Sequence, residues 1–291
     1  MARWSARLLA LAVVLLAVLT SAGSGGAAST RHRSPFAGLG TWVDIYSSEW
    51  ADPEAAVAAM VRHGVRTLYL ETGNYSHAAD VFRPEDAGRF IDAAHAAGLR
   101  VVAWYLPAFL NVKTDARKAL GAIRFRSATG ERFDGFALDI EATSVRSLTL
   151  RDHRLLFLSA RLRHAVPRHY PLGAITPSPV GMSPFFWPEL PYRLLTHYYK
   201  AFLPMAYSTL RGIHGRAATR EYLTSTVTDI RTASGDPKFP IHLVGGLSGS
   251  MGAKATAGFV QAVAQAKPVG YSLYAFDQTT PAAWRALAGH S

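Results

Sequence analysis

The feature that most constrains this chain is an alternation sustained from residue 38 almost to the end. Short runs of β-branched and aromatic residues are each followed by a longer stretch with helical spacing of its apolar positions. GLGTWVDIY (38–46) precedes PEAAVAAMVRHG (53–64), and VRTLYLE (65–71) precedes a helical stretch at 84–98. LRVVAWYLP (99–107) precedes one at 113–124, and FDGFALDIE (133–141) one at 149–166. PLGAIT (171–176), AFLPMAY (201–207), FPIHLVGG (239–246) and VGYSLYAF (269–276) continue the pattern, with helices at 189–199, 217–233, 253–266 and 281–288. Strands separated by helices pair in parallel, because each helix returns the chain to the start of the next strand. Eight such units in about 250 residues predict a single-domain α/β fold, the closed (β/α)8 or TIM barrel. An open, doubly wound sheet is the alternative, but no GxGxxG follows the first strand.

The segment before the repeat has a different character. MARWSAR carries Arg3 and Arg7, LLALAVVLLAVL follows as an unbroken apolar run, and small residues then fill SAGSGGAAS. That order of basic, apolar and small residues predicts a secretory signal peptide over 1–28. The apolar run is shorter than the roughly 20 residues a spanning helix needs, so a membrane-embedded protein is not expected. Residues 29–37 read as a short N-terminal tail, and 38–291 as the barrel. The chain is expected to be secreted and extracellular. It contains no Cys, so its stability must come from packing without disulfides. A formal charge of +11 suits an anionic cell-wall polymer as a partner. The basic residues are scattered and form no long run, which argues against nucleic acid.

A barrel also locates the chemistry, since catalytic groups in this fold sit at the C-terminal ends of the strands. The fourth predicted strand ends in Asp139 and Glu141, two positions apart and therefore on one face. Parity sends Phe136, Leu138 and Ile140 toward the helices, and Ala137, Asp139 and Glu141 toward the barrel axis. Other strand ends supply further polar and aromatic candidates. Asp44 and Tyr46 follow Trp42 on the first strand, Glu71 ends the second, Met205 and Tyr207 end the sixth, and Tyr274 ends the eighth. The loop MSPFFWPELPYR after the fifth adds Trp187. Aromatic rings beside carboxylates suit a sugar, whose C–H faces pack on rings while its hydroxyls bond to carboxylates. A polysaccharide or oligosaccharide is the expected ligand.

The string Asp134-Gly135-x-x-x-Asp139-x-Glu141 resembles the D-G-x-D-x-D-x-E signature of glycoside hydrolase family 18, which lies on the fourth strand of a (β/α)8 barrel. PMAYS (204–208) and GYSLYAFD (270–277) look like that family's sixth- and eighth-strand motifs. The resemblance implies a hydrolase of β-linked, amino-sugar-containing polysaccharides such as chitin or peptidoglycan. It implies Glu141 as general acid, Asp139 as the residue that orients the 2-acetamido group, and Tyr207 as a hydrogen-bond partner of that group. Asp44, Glu71, Trp42, Tyr46, Met205, Tyr274 and Trp187 are the substrate-binding candidates. The chain departs from the family at Ala137, where the middle Asp stands, at Ser208, where Asp or Asn stands, and at Tyr274, where Trp stands. GTWVDIYSS is similar to the first-strand motif of glycoside hydrolase family 25, which puts Asp44 in a matching place. Two readings stay open: a glycosidase, and a catalytically inactive, lectin-like barrel that binds glycans.

Other chemistries lack their motifs. The eleven His residues include no HExxH, and LSGSMGA around Ser248 and Ser250 forms no GxSxG elbow. No metal and no cofactor is expected. The seventh strand ends in VGGLSGS without a carboxylate, so any second catalytic carboxylate must come from Asp44, Glu71 or Asp139.

Overall fold

In a computed structural model that describes residues 34–289, eight parallel strands close into a barrel in chain order. The strands are β1 Gly38–Val43, β2 Thr67–Asn74, β3 Arg100–Leu106, β4 Gly135–Asp139, β5 Leu172–Pro177, β6 Ala201–Met205, β7 His242–Leu247 and β8 Gly270–Tyr274. The helices are α1 Pro53–Arg62, α2 Pro84–Ala96, α3 Val112–Arg124, α4 Leu148–His164, α5 Tyr192–Leu195, α6 Arg216–Ser234, α7 Ala253–Ala266 and α8 Pro281–Ala288. The ring closes where Gly38 and Leu39 of β1 pair with Gly270 and Tyr271 of β8. Among the described residues no helix is long and apolar enough to cross a membrane. The expected signal peptide, residues 1–28, lies outside the described residues.

The helices begin where side chains replace the missing backbone partners of a first turn. Asp52, with Pro53 behind it, accepts from the Ala55 amide at 3.1 Å. Asn111, Ser147 and Thr280 cap α3, α4 and α8 in the same way. The segment expected as a helix over 189–199 is a correction, since α5 covers only Tyr192–Leu195. Its entry is set by Pro191, and beyond Leu195 the amides of His197 and Tyr198 reach back three residues, not four, so the coil tightens and stops.

Two cores result from the alternation along the strands. Leu68, Leu70, Val101, Ala103, Phe136 and Leu138 face outward and are buried under helix residues such as Val57, Met60, Phe90 and Ile91. Each fully buried side chain of this size contributes about 1.5–3 kcal/mol. Inside the barrel lie Trp42, Tyr69, Val102, Trp104, Ala137, Ile175 and Leu203. Residues 34–37, which read as a tail, instead finish the barrel floor. Phe36 is fully buried, its carbonyl accepts from His242, and the carbonyl of Pro35 accepts from Thr67. Gly270 is required there, because a Cβ would stand 2.1 Å from the Phe36 oxygen and 2.3 Å from His242 Nδ1. His242 also bonds to Tyr69 and Ser272. Burial pushes its pKa down to about 4, which makes it a neutral structural residue at the closed end.

Candidate active site

The strand order brings the polar strand ends to one mouth, opposite the floor. β4 starts at Gly135, where a Cβ would meet the Pro171 carbonyl at 3.1 Å. The preceding Asp134 accepts from the Val101 amide at 2.7 Å and meets His95 Nε2 at 3.0 Å, so the first acidic residue of the motif fixes the strand's entry. Asp139 closes β4 on the inner face, and the Ile140 amide still bonds to the Ile175 carbonyl at 2.8 Å. Glu141 therefore stands two residues past Asp139, over the barrel axis.

Asp139 is 5% exposed, and its Oδ1 has no hydrogen-bond partner. Burial, then the nearby Glu141 and Glu71, holds its pKa well above the carboxylate range. Burial also raises half-buried Glu141. Glu71 is 3% exposed within β2, where Oε2 accepts from the Ile45 amide at 3.0 Å and Oε1 from Asn74 Nδ2 at 3.3 Å. Burial pushes it up to about 7, with Asp44 and Glu141 adding to the rise. Asp44 accepts from the Tyr46 amide and Ser47 hydroxyl through Oδ1, and from the Tyr274 hydroxyl at 2.6 Å through Oδ2. Burial, then that bond, raises the Tyr274 phenol far above its ordinary value. Tyr207 is raised by burial first and by the surrounding carboxylates second.

These groups line a two-lobed cleft, each lobe of about 310 Å³. One lobe is walled by Asp44, Tyr46, Glu71, Asp139 and Tyr274. The other is walled by Pro177, Met182, Phe186, Leu210 and Arg211. Glu141, Met205 and Tyr207 line both. The exposed Tyr46, Tyr75, Leu110 and Phe185 sit on loops that follow strand ends, and Leu210 on the 3-10 turn Ser208–Arg211 after β6, so the mouth is ringed with apolar surface.

Two candidates lie outside the cleft and are corrected. Trp187 is 1% exposed, donates to Asp152 at 2.7 Å, and packs between Phe109 and the Arg151 guanidinium. The Asp152 bond turns it into the α4 packing. Trp42 is one layer too deep: it stacks on Tyr69 at 4.3 Å, donates to Ser272, and supports the Tyr274 ring from below. The structure adds residues that the sequence reading missed. Between Glu71 and Gly73 the pairing with β3 slips by one residue, and this bulge carries β2 on to Asn74. Asn74 bonds to Glu71 and to the Ser76 and His77 amides, while Lys118 from α3 donates to the carbonyls of Asn74 and His77. Trp104, paired in register with both Glu71 and Ala137, faces the same lobe with an unpartnered Nε1. Its inward parity beside Glu71 was the available signal. Among the described residues no cluster of three or more His, Asp or Glu is placed to hold a metal ion.

The sequence matches no protein-family profile and no curated protein. In structure the chain is similar to a chitinase from Chromobacterium violaceum, with a TM-score of 0.59 and 14% identity over 86% of this chain and 98% of that one. A chitinase from Bacteroides thetaiotaomicron gives 0.63 and 10%, over 87% and 96%. The Bacillus cereus spore cortex-lytic enzyme SleL gives 0.61 and 9%, over 87% of this chain and 74% of that one. The likeness is one of architecture, a single closed (β/α)8 barrel spanning the described chain.

Proposed function

We propose that this protein is a glycoside hydrolase that cleaves a β-linked, amino-sugar-containing polysaccharide of chitin or peptidoglycan type, with Glu141 as the general acid. The observation that carries the reading is the place of Glu141, at the waist where both lobes of an aromatic-rimmed cleft meet. A polysaccharide laid along the cleft would seat one sugar in each lobe and bring the linking oxygen to that carboxyl. Burial keeps Glu141 protonated to higher pH, as a proton donor to a leaving oxygen requires. Its proton goes to the glycosidic oxygen as the bond to the anomeric carbon breaks, and water supplies the hydroxyl of the new reducing end. The folds of the two chitinases and the cortex-lytic enzyme support a chitin- or peptidoglycan-type substrate. The N-terminal apolar run and the charge of +11 support export to an anionic cell wall.

One observation favours a second reading, a glycan-binding barrel without turnover. Ala137 lies below Asp139, so the carboxyl has no acidic partner beneath it on β4 with which to share a proton. The two readings separate on whether bonds are cut. New reducing ends from chitin oligosaccharides or peptidoglycan, lost on Glu141→Gln, support the enzyme; retention of both polymers without cleavage supports the binding module.

A further inference from the structure

With its carboxyls ionised, the lobe beside β1 and β2 holds more hydrogen-bond acceptors than donors. Asp44, Glu71, Asp139 and Glu141 line it, and among the described residues no Lys, Arg or His does. The chain carries 31 Lys and Arg against 20 Asp and Glu, so an acidic overall composition does not account for four carboxylates in one lobe. Four nearby donors are already committed. The Tyr274 hydroxyl and Tyr46 amide serve Asp44, and the Ile45 amide and Asn74 side chain serve Glu71. Asp139 receives none: it is buried, lines the lobe, and its Oδ1 is unpartnered. A buried carboxylate in that condition is costly until a proton or a cation arrives. The carboxylates are not grouped to hold a metal ion. The lobe's walls include the rings of Tyr46, Tyr75, Trp104, Tyr207 and Tyr274, whose faces attract organic cations.

We infer that the sugar seated in this lobe carries a free ammonium group, so that the substrate is a de-N-acetylated form of the amino-sugar polymer, with Asp139 as the ammonium's partner. This rests on the reading of the cleft as a glycosidase site. An ammonium brings three N–H donors and a full positive charge, which is what the lobe lacks. An acetamido group brings one N–H and adds a carbonyl acceptor to a lobe already in surplus. Ala137 agrees with this assignment, because the Asp139 carboxyl is left to the ligand with no acidic neighbour beneath it. Trp104 Nε1, buried and unpartnered, is available to a sugar hydroxyl. A free-amine sugar has no acetamido oxygen to attack its anomeric carbon. The attacking water would then pass its proton to a carboxylate of the cluster while Glu141 protonates the leaving oxygen.

The test compares the unaltered protein on matched chito-oligosaccharides, fully N-acetylated and fully de-N-acetylated, and on peptidoglycan before and after enzymatic de-N-acetylation. The two pairs distinguish the source of the amine. The expected result is a kcat/KM higher by about 10- to 100-fold on a de-N-acetylated member, the range given by a hydrogen bond to a charged group. Re-acetylation with acetic anhydride should remove the advantage. Asp139→Asn, checked for folding by circular dichroism, should lose the preference for the amine. Equal or better cleavage of the acetylated members would overturn the inference and leave the glycosidase reading standing. If no polymer is cleaved, the glycosidase reading fails and binding decides the inference. Glucosamine oligomers held by the unaltered protein and about tenfold more weakly by Asp139→Asn would uphold it; equal binding, or none, would overturn it.

Discussion

At the scale of the residue, Glu71 and Glu141 show how position makes similar carboxyls differ. Glu71 is fixed by the Ile45 amide and Asn74, whereas Glu141 carries no such restraint and faces both lobes. Glu71 senses the charge of Glu141, and the coupling of two charges is reciprocal. An ionised Glu71, present above pH of about 7, therefore helps Glu141 keep its proton. Glu71→Gln removes that charge, so the basic limb of the kcat/KM profile should move to lower pH; a profile unmoved on the basic side would separate Glu71 from the acid. Sequence parity placed Asp139 and Glu141 on the inner face because period two in a strand is rigid. It could not show that Asp134 serves the His95 and Val101 contacts, since those partners lie 39 and 33 residues away in the chain.

At the scale of the element, the site depends on how the β2–α2 loop is tied down. Lys118 is buried on α3 and holds the carbonyls of Asn74 and His77, which fixes the loop that presents Asn74, Tyr75 and Ser76 to the lobe. Lys118→Met keeps most of the side-chain volume and drops the donors. The expected outcome is a KM raised severalfold with a smaller change in kcat, because under the proposed function the loop would bind sugar without touching the breaking bond; a matching fall in kcat with KM unchanged would contradict this. The bulge that extends β2 to Asn74 was not legible, because the one-residue slip at Gly73 depends on the pairing with β3 and leaves no mark in the apolar pattern. The start and end of α7 were legible, whereas α5 was not, because tertiary packing of Tyr192 and Leu195 outweighs the helical spacing of 189–199.

At the scale of the whole molecule, the architecture follows from eight alternations and two cores, and the carboxyl-lined mouth of the barrel carries a cost in stability. Glu71 binds its proton more tightly folded than unfolded, with a pKa near 7 against an ordinary 4.5. Stability should therefore fall as pH rises from about 4.5 to 7, by on the order of 3 kcal/mol at 1.36 kcal/mol per unit. His95 extends the trend. Its pKa is raised to about 9, by Asp134 above all, so its contribution is complete below about pH 6.5 and disappears as pH rises through 9. Denaturant titrations across this range should show Glu71→Gln flattening the lower part and His95→Ala the upper part; stability that rises between pH 5 and 9 would contradict both assignments. Counting reducing ends tests whether Glu141, at the waist of the cleft, is a general acid. The unaltered protein and its Glu141→Gln form would be compared on chitin oligosaccharides, acetylated and de-N-acetylated, and on peptidoglycan. Cleavage of at least one polymer by the unaltered protein is expected, with a loss of about 100-fold or more in the variant. Equal release by both forms, or release by neither, would contradict it.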